Sequence, residues 1–240
     1  MYHDLMNLYG DWANAAVLER ELTRRGWEAV VEKKSVGDEI DFDAYGFIYI
    51  GSGTERSLIA CMRDLKRHKD VLIKRVNDGV PVFATGNSHE LFGKAVTDCA
   101  KKRHEMLGLL DFETVQLNTR ITGDCVGTAS FIDEKLIGFI NRAGGSQKGS
   151  VERPFSIEPR EGASFTACDE GIRHKNLLGT YMTGPALVRN PPMLKYFTDI
   201  LTGGQACEEQ VGNECDQRDA KGDSFFEYQE KAYETALSKM

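Results

Sequence analysis

The sequence lacks the long apolar segments that membrane insertion and secretion require. It contains no apolar run of about 18 residues, which is the length that a membrane-spanning helix needs. It also has no basic start followed by an apolar stretch and a small-residue cleavage site, the pattern of a secretory signal. We therefore expect a cytoplasmic protein without a membrane span.

An excess of positive charge and paired cysteines are also missing. The 30 Lys and Arg residues against 37 Asp and Glu give a formal net charge of -7, whereas nucleic-acid binding needs clustered positive charge to neutralise phosphates. The six cysteines are scattered and form no C-x-x-C pair, the spacing typical of zinc sites and redox motifs. We expect no nucleic-acid partner, no metal and no cofactor.

Strand and helix patterns alternate over the first hundred residues. Helical spacing predicts one helix that begins at Asp11 or Asn14, as cap, and ends near Arg25, a second over 55–77, and a third from about Ser88. Apolar runs bounded by turn residues predict strands over 28–33, 45–50 and 80–84. This alternation is typical of βαβ units, so we predict an α/β fold with a mostly parallel sheet.

After Gly108 the pattern changes to strand-like runs separated by Gly-rich turns. The runs cover residues 112–119, 125–131, 136–141, 164–168 and 177–182. Helices are predicted again over 192–201 and 224–238, and the polar segment between them has few groups able to form a core. We therefore expect one domain over residues 1–202, a polar loop over 203–223 and a C-terminal helix over 224–240.

Three Gly-rich segments follow predicted strands, where open parallel sheets gather their functional groups. These segments are residues 51–54, 84–89 and 179–185. The second combines a strand, a sharp turn and a helix, which is the shape of a nucleophile elbow. Backbone N–H groups beside such a turn can stabilise a developing oxyanion.

The same segments carry a family resemblance. Residues 81–94 resemble the elbow of class I glutamine amidotransferases of the CobB/CobQ type, and residues 177–185 resemble that family's Gly-Thr-Tyr-Leu-His-Gly-Pro segment. Residues 4–14 and 51–56 are similar to the opening and the glycine-rich oxyanion loop of the glutaminase subunit of lipid II isoglutaminyl synthase. The resemblance implies a three-layer, flavodoxin-like sheet with helices on both faces. It also implies substrate or oxyanion binding at Gly51, Ser52, Gly53 and Asn87.

Both residues that carry catalysis in that family are replaced. The resemblance places the nucleophilic cysteine at Gly86 and the catalytic histidine at Thr183. A glutaminase needs a thiolate to form a glutamyl thioester, and a histidine to deprotonate the thiol and to protonate the departing ammonia. Residues 141–146 also differ from the stretch that helps to hold glutamine in the lipid II subunit, which weakens the expectation of glutamine binding.

Ser88 is the candidate substitute nucleophile, because residues 86–90 mimic a G-x-S-x-G elbow and His89 is adjacent. Successive helical residues point about 100° apart, so His89 is poorly placed as a base for Ser88. We favour the interpretation that Ser88 caps the following helix.

These observations favour a catalytically silent family member that acts as a binding or regulatory subunit of a Mur-ligase-like partner. One alternative is an active glutaminase subunit that supplies ammonia to such a partner for amidation of peptidoglycan precursors. Another is a hydrolase that uses Ser88. An engineered inactive mutant is less simple than natural divergence, because inactivation does not require so many replacements in one elbow.

Overall fold

The computed structural model describes residues 1–204 and 220–239, and it has the α/β class that the sequence predicts. The helices are α1 (Trp12–Arg24), α2 (Glu55–Leu65), α3 (Lys69–Asn77), α4 (Ala186–Arg189), α5 (Pro191–Thr202) and α6 (Ala220–Ser238). The strands are β1 (Ile48–Ile50), β2 (Val82–Thr85), β3 (Ala95–Thr97), β4 (Arg103–Glu105), β5 (Phe112–Ala129), β6 (Ile132–Gly149), β7 (Phe155–Pro159), β8 (Cys168–Glu170), β9 (Ile172–His174), β10 (Leu177–Thr180) and β11 (Met182–Thr183).

The smaller sheet has four strands in the order β1-β2-β10-β9, of which β1, β2 and β10 run parallel. Successive side chains of a strand point to opposite faces. Ile50 and Val82 therefore join a core that includes Leu58 and Leu72 of α2 and α3. The opposite face joins a core with α1 and α5, whose members include Tyr49, Phe83, Leu178, Leu18 and Phe197. Helices thus cover both faces, and the three-layer arrangement is confirmed.

The larger sheet has seven strands and is mainly antiparallel; its one parallel pair is β3 with β5. Its main feature is the hairpin of β5 and β6, with 18 residues in each strand. The predicted runs 112–119 and 125–131 therefore belong to one strand, whose register with β6 shifts between Leu117 and Arg120. Parallel pairing is concentrated in the smaller sheet because the later strands are joined by short turns.

The predictions for residues 28–33, 55–77 and 164–168 need correction in the described part of the chain. Residues 28–33 form no strand, and Val30 is 77% exposed beside the sheet. The predicted helix over 55–77 is two helices joined by a 3-10 turn, Lys66–His68, in which no residue is buried, so packing does not hold that turn in α geometry. Residues 164–167 are irregular, and the strand there begins at Cys168.

The C-terminal helix packs on the body of the protein. Gln229 donates from Nε2 to the carbonyl of Leu187 at 3.0 Å, and the hydroxyl of Tyr233 donates to the carbonyl of Lys135 at 2.5 Å. The helix begins at Ala220, inside the predicted polar loop, while residues 205–219 of that loop lie outside the described residues. None of the described helices is both long and apolar enough to cross a membrane.

Candidate functional site

The predicted elbow lies beside the predicted oxyanion loop. Because β1 and β2 pair in parallel with Ile50 opposite Ala84, their carboxyl ends meet at one edge of the sheet. The chain turns sharply after β2 at Gly86, whose φ of +63° lies in the left-handed region that glycine adopts without strain. The predicted helix from Ser88 is a 3-10 helix, Gly86–Phe92, in which all seven residues are buried.

The space that a nucleophilic side chain would need at position 86 is filled. A Cβ added to Gly86 would approach the Cβ of Ser52 closer than 3.0 Å, a separation that real Cβ atoms essentially never show. It would also lie 3.2 Å from Cγ2 of Thr183. Ser52 is only 2% exposed, so it has little room to move. The fold therefore brings Gly86 and Thr183 together as the resemblance implies, but Ser52 occupies the volume between them.

Thr183 supplies no base at this position. It is 1% exposed, and its Oγ1 donates a hydrogen bond to the carbonyl of Phe139 at 2.9 Å. A threonine hydroxyl does not accept a proton at neutral pH. Thr183 instead ties β11 to β6.

The oxyanion loop, residues 51–54, also uses its backbone groups for contacts within the protein. The N–H of Gly53 donates to Oδ1 of Asn87 at 3.1 Å, so this donor is already paired. A Cβ at Gly51 would lie 2.6 Å from Cβ of Asp11, and one at Gly53 would lie 2.8 Å from the carbonyl of Leu5. Both glycines are therefore required by the close approach of the N-terminal segment.

A buried polar network lies beneath this loop and is centred on Asp11, which is fully buried. Its Oδ2 accepts from Ser52 Oγ at 2.6 Å and from the N–H of Tyr9 at 3.1 Å, and its Oδ1 accepts from Thr85 Oγ1 at 3.1 Å. The Tyr49 hydroxyl lies 2.7 Å from Thr85 Oγ1. Burial, and to a smaller extent the negative charge of Asp11, raises the pKa of Tyr49 well above its ordinary value. This network holds Ser52 in the position that blocks residue 86.

Asp11 was predicted as a possible helix cap. It does occupy the N-cap position of α1, but its side chain makes no capping hydrogen bond. Asn14, the other candidate, lies within α1, donates to the Tyr49 hydroxyl at 2.7 Å and accepts from the N–H of Leu187 at 2.7 Å. Asp11 and Asn14 hydrogen-bond to residues far away in the sequence, and the local sequence pattern does not indicate such contacts.

Ser88 is not the helix cap that the sequence predicts. It is fully buried, and its Oγ lies 2.8 Å from the carbonyl of Thr85 and 3.0 Å from the carbonyl of Ile50. Its hydroxyl thus bridges the ends of β1 and β2. Ser88 cannot cap the helix because the helix begins two residues earlier, at Gly86. The side chain of Ser88 therefore faces the sheet.

His89 does not act on Ser88. Its Nδ1 lies 2.8 Å from the carbonyl of Gly86, and its Nε2 lies 3.0 Å from the amide nitrogen of Gln147. Nδ1 therefore carries the proton and Nε2 accepts. Burial lowers the pKa of His89 to about 3, so the ring is neutral.

Glu90 extends this buried cluster. Oε1 accepts from the hydroxyl of Tyr181 at 2.7 Å, and Oε2 accepts from Gln116 at 3.2 Å. Burial raises its pKa to about 7, although both hydrogen bonds act in the opposite direction. No local pattern indicates this cluster, because Gln116 lies in β5, Gln147 in β6 and Tyr181 between β10 and β11.

The segment that replaces the family's glutamine-holding stretch also forms internal contacts. Asn141 accepts from Arg120 at 2.7 Å, and Arg120 forms a 2.6 Å ion pair with Glu55, the first residue of α2. These contacts link the hairpin to the helix that follows the oxyanion loop.

Comparisons with known proteins agree with this geometry. The profile of the CobB/CobQ-like glutamine amidotransferase domain matches residues 1–191. Subunit GatD of the glutamine-hydrolyzing lipid II isoglutaminyl synthase of Staphylococcus aureus is 29% identical over 213 residues, covering 88% of this chain and 85% of that protein. The corresponding GatD of Streptococcus pneumoniae is 32% identical over 195 residues, covering 79% and 74%.

A crystal structure of a glutamine amidotransferase from Thermotoga maritima superposes with a TM-score of 0.50. It covers 91% of this chain and 86% of that protein at 11% sequence identity. At this identity the likeness concerns the fold alone.

Proposed function

The chain belongs to the CobB/CobQ-like glutamine amidotransferase domain family, and we propose that it is a binding or regulatory subunit that does not hydrolyse glutamine. Its two GatD relatives are named as subunits of lipid II isoglutaminyl synthase, which supports a role in a complex. We propose a Mur-ligase-like protein as the partner.

The filled position at residue 86 is the observation that carries this proposal. Glutamine hydrolysis by this family's route requires attack of a thiolate on the side-chain amide, stabilisation of the oxyanion, and proton transfer to ammonia. Ser52 fills the nucleophile's place, Asn87 engages the N–H of Gly53, and Thr183 is a hydrogen-bond donor. Each requirement fails for a separate reason.

The two alternatives have less support. Among the described cysteines, Cys61 and Cys125 are buried, and burial raises the pKa of both thiols to about 12, which keeps them protonated. A hydrolase based on Ser88 would need a base at its hydroxyl, but the Ser88 hydroxyl faces two carbonyls and His89 bonds to Gly86 and Gln147.

Glutamate release from glutamine tests the proposed loss of activity. The purified chain is assayed alone and with a Mur-ligase-like protein, with the Ser88→Ala variant alongside. We expect no release above the buffer rate in either setting, and no labelling of Ser88 by a fluorophosphonate probe. Release that disappears in Ser88→Ala would establish the hydrolase alternative, while release that persists would establish another nucleophile; both overturn the proposal.

The subunit role is tested separately by size-exclusion chromatography of the two purified proteins. We expect a stable complex that elutes ahead of either component. Separate elution at micromolar concentration would contradict the proposed partnership, whatever the outcome of the glutamine assay.

A further inference from the structure

A polar cavity lies next to the elbow helix Gly86–Phe92, because its lining residues Gln147 and Tyr181 bond to His89 and Glu90 of that helix. Adjacent residues of β6 point to opposite faces: the ring of Phe139 packs on Tyr9 near the oxyanion loop, whereas Ile140 and Arg142 line the cavity. Its volume is about 230 Å³. The polar lining comprises Arg142, Ser146, Gln147, Arg153, Asp169 and Glu170.

Two guanidinium groups in this lining have unused hydrogen-bond capacity. Arg142 donates from Nη1 to the carbonyl of Ala143 at 3.1 Å, and its guanidinium lies 4.5 Å from the ring centroid of Tyr181. Arg153 donates from Nη1 to Oε1 of Gln147 at 2.8 Å. In the described part of the chain neither guanidinium forms a salt bridge. Each has five N–H donors, so several remain for a ligand.

The two acidic residues of the lining, Asp169 and Glu170, do not neutralise the positive charge of Arg142 and Arg153. Glu170 is 5% exposed, and its carboxylate already accepts from the hydroxyl of Thr180 and from the N–H of Tyr181. Burial raises its pKa to about 7, so it is partly protonated at neutral pH. Asp169 is exposed at the rim, where water screens its charge.

We propose that this cavity binds a small oxyanion, a carboxylate or phosphate group held by Arg142 and Arg153. Planar guanidinium groups match the oxygen geometry of both anions and hold them through paired hydrogen bonds. Drug-sized ligands occupy pockets of roughly 300–1,000 Å³. The smaller volume here suits an inorganic phosphate or a short carboxylic acid.

Isothermal titration calorimetry with inorganic phosphate and with malonate, at low ionic strength, tests the site and distinguishes the two anions by their affinities. We expect Arg153→Gln to weaken binding at least about tenfold, since hydrogen bonds to charged groups are the stronger kind. Arg153→Lys keeps the positive charge, so its affinity for the anion should lie between that of the parent and that of Arg153→Gln. Lys148→Gln removes one exposed positive charge of the same hairpin and should bind as the parent does.

Cys168 provides a second measurement that requires no variant. It is exposed and lines the cavity, while Cys99 is exposed outside it. Saturating anion should slow iodoacetamide labelling of Cys168 several-fold and leave Cys99 unchanged, as quantified by mass spectrometry. Equal binding by the parent and a folded Arg153→Gln variant would overturn the proposal, as would absence of Cys168 protection by either anion at millimolar concentration.

Discussion

The elbow and the neighbouring arginine-lined cavity differ in how their polar groups are satisfied. At the elbow, the hydroxyls of Ser52, Ser88 and Thr183 each donate to an acceptor within the protein. In the cavity, Arg142 and Arg153 border open volume, and neither forms a salt bridge within the described residues. The comparison teaches that the capacity of a polar side chain to hold a ligand depends on how many of its hydrogen-bonding groups the protein already uses.

The largest expected effect comes from removing the acceptor at the centre of the elbow network. Asp11→Ala leaves Ser52, Thr85 and the N–H of Tyr9 without their acceptor in a buried site. Each unsatisfied buried group costs about 1–3 kcal/mol, so we expect a loss of at least about 3 kcal/mol in the free energy of unfolding, measured with urea.

Asp169→Ala is the matched control from the other region. Its side chain is exposed at the rim of the cavity, so the change in stability should stay within about 0.5 kcal/mol. Equal losses in the two variants would show that the regions do not differ as described.

The next effect is expected from a cysteine at the elbow. Gly86→Cys adds the strain of a positive φ and an overlap with Ser52, which together should cost about 2–3 kcal/mol. We also expect no glutaminase activity. Differential scanning calorimetry measures the first, and glutamate release the second.

Gly108→Cys separates the two causes. Gly108 has a similar φ of +69°, but a Cβ there meets no atom within 4 Å, so only the backbone strain remains. Ser52→Gly alone loses the hydrogen bond to Asp11, so the overlap is measured by a double-mutant cycle. The double variant should be at least about 1 kcal/mol more stable than the sum of the two single changes predicts, and additive changes would refute the overlap.

The smallest expected effect is a pH dependence from Glu90. Its pKa of about 7 in the folded protein lies above the ordinary 4.5, so the folded state holds a proton that the unfolded state releases. This contribution makes stability fall as pH rises from about 4.5 to 7. Glu90→Gln should therefore gain about 2 kcal/mol relative to the parent across that window, as measured by urea unfolding at several pH values.

His89 has the opposite influence, because its lowered pKa makes stability fall as pH decreases below 6.5. His89 is present in both the parent and Glu90→Gln, so its contribution cancels when their free energies of unfolding are subtracted. For the exposed control Glu158→Gln, the difference in free energy of unfolding from the parent should not change with pH over the same range. A flat difference for Glu90→Gln would instead contradict the raised pKa.

The sequence predicted the elements whose signals are local. Helix α1, the strand before the elbow and the helix from Pro191, which ends before the left-handed Gly203, follow from apolar periodicity and terminal residues. The segment 28–33 misled because a short β-like pattern without a neighbouring strand to pair with does not become a strand.

The contents of the two sites could not be predicted in the same way. The motifs located Gly86 and Thr183, but the obstruction by Ser52 depends on Asp11, which approaches through tertiary packing. The lining of the arginine-lined cavity comes from β5, β6, β7 and β8 and from residues outside them, including Arg153 and Tyr181, so no short segment contains its pattern.

The interlocked side chains at the elbow make positions 11, 52 and 86 interdependent. A cysteine introduced at position 86 would meet Ser52, and Ser52 is held by Asp11. Replacing Ser52 by glycine makes room at position 86 but removes one of the hydrogen bonds of Asp11. Anyone who redesigns this elbow to carry a nucleophile therefore has to change the three positions together.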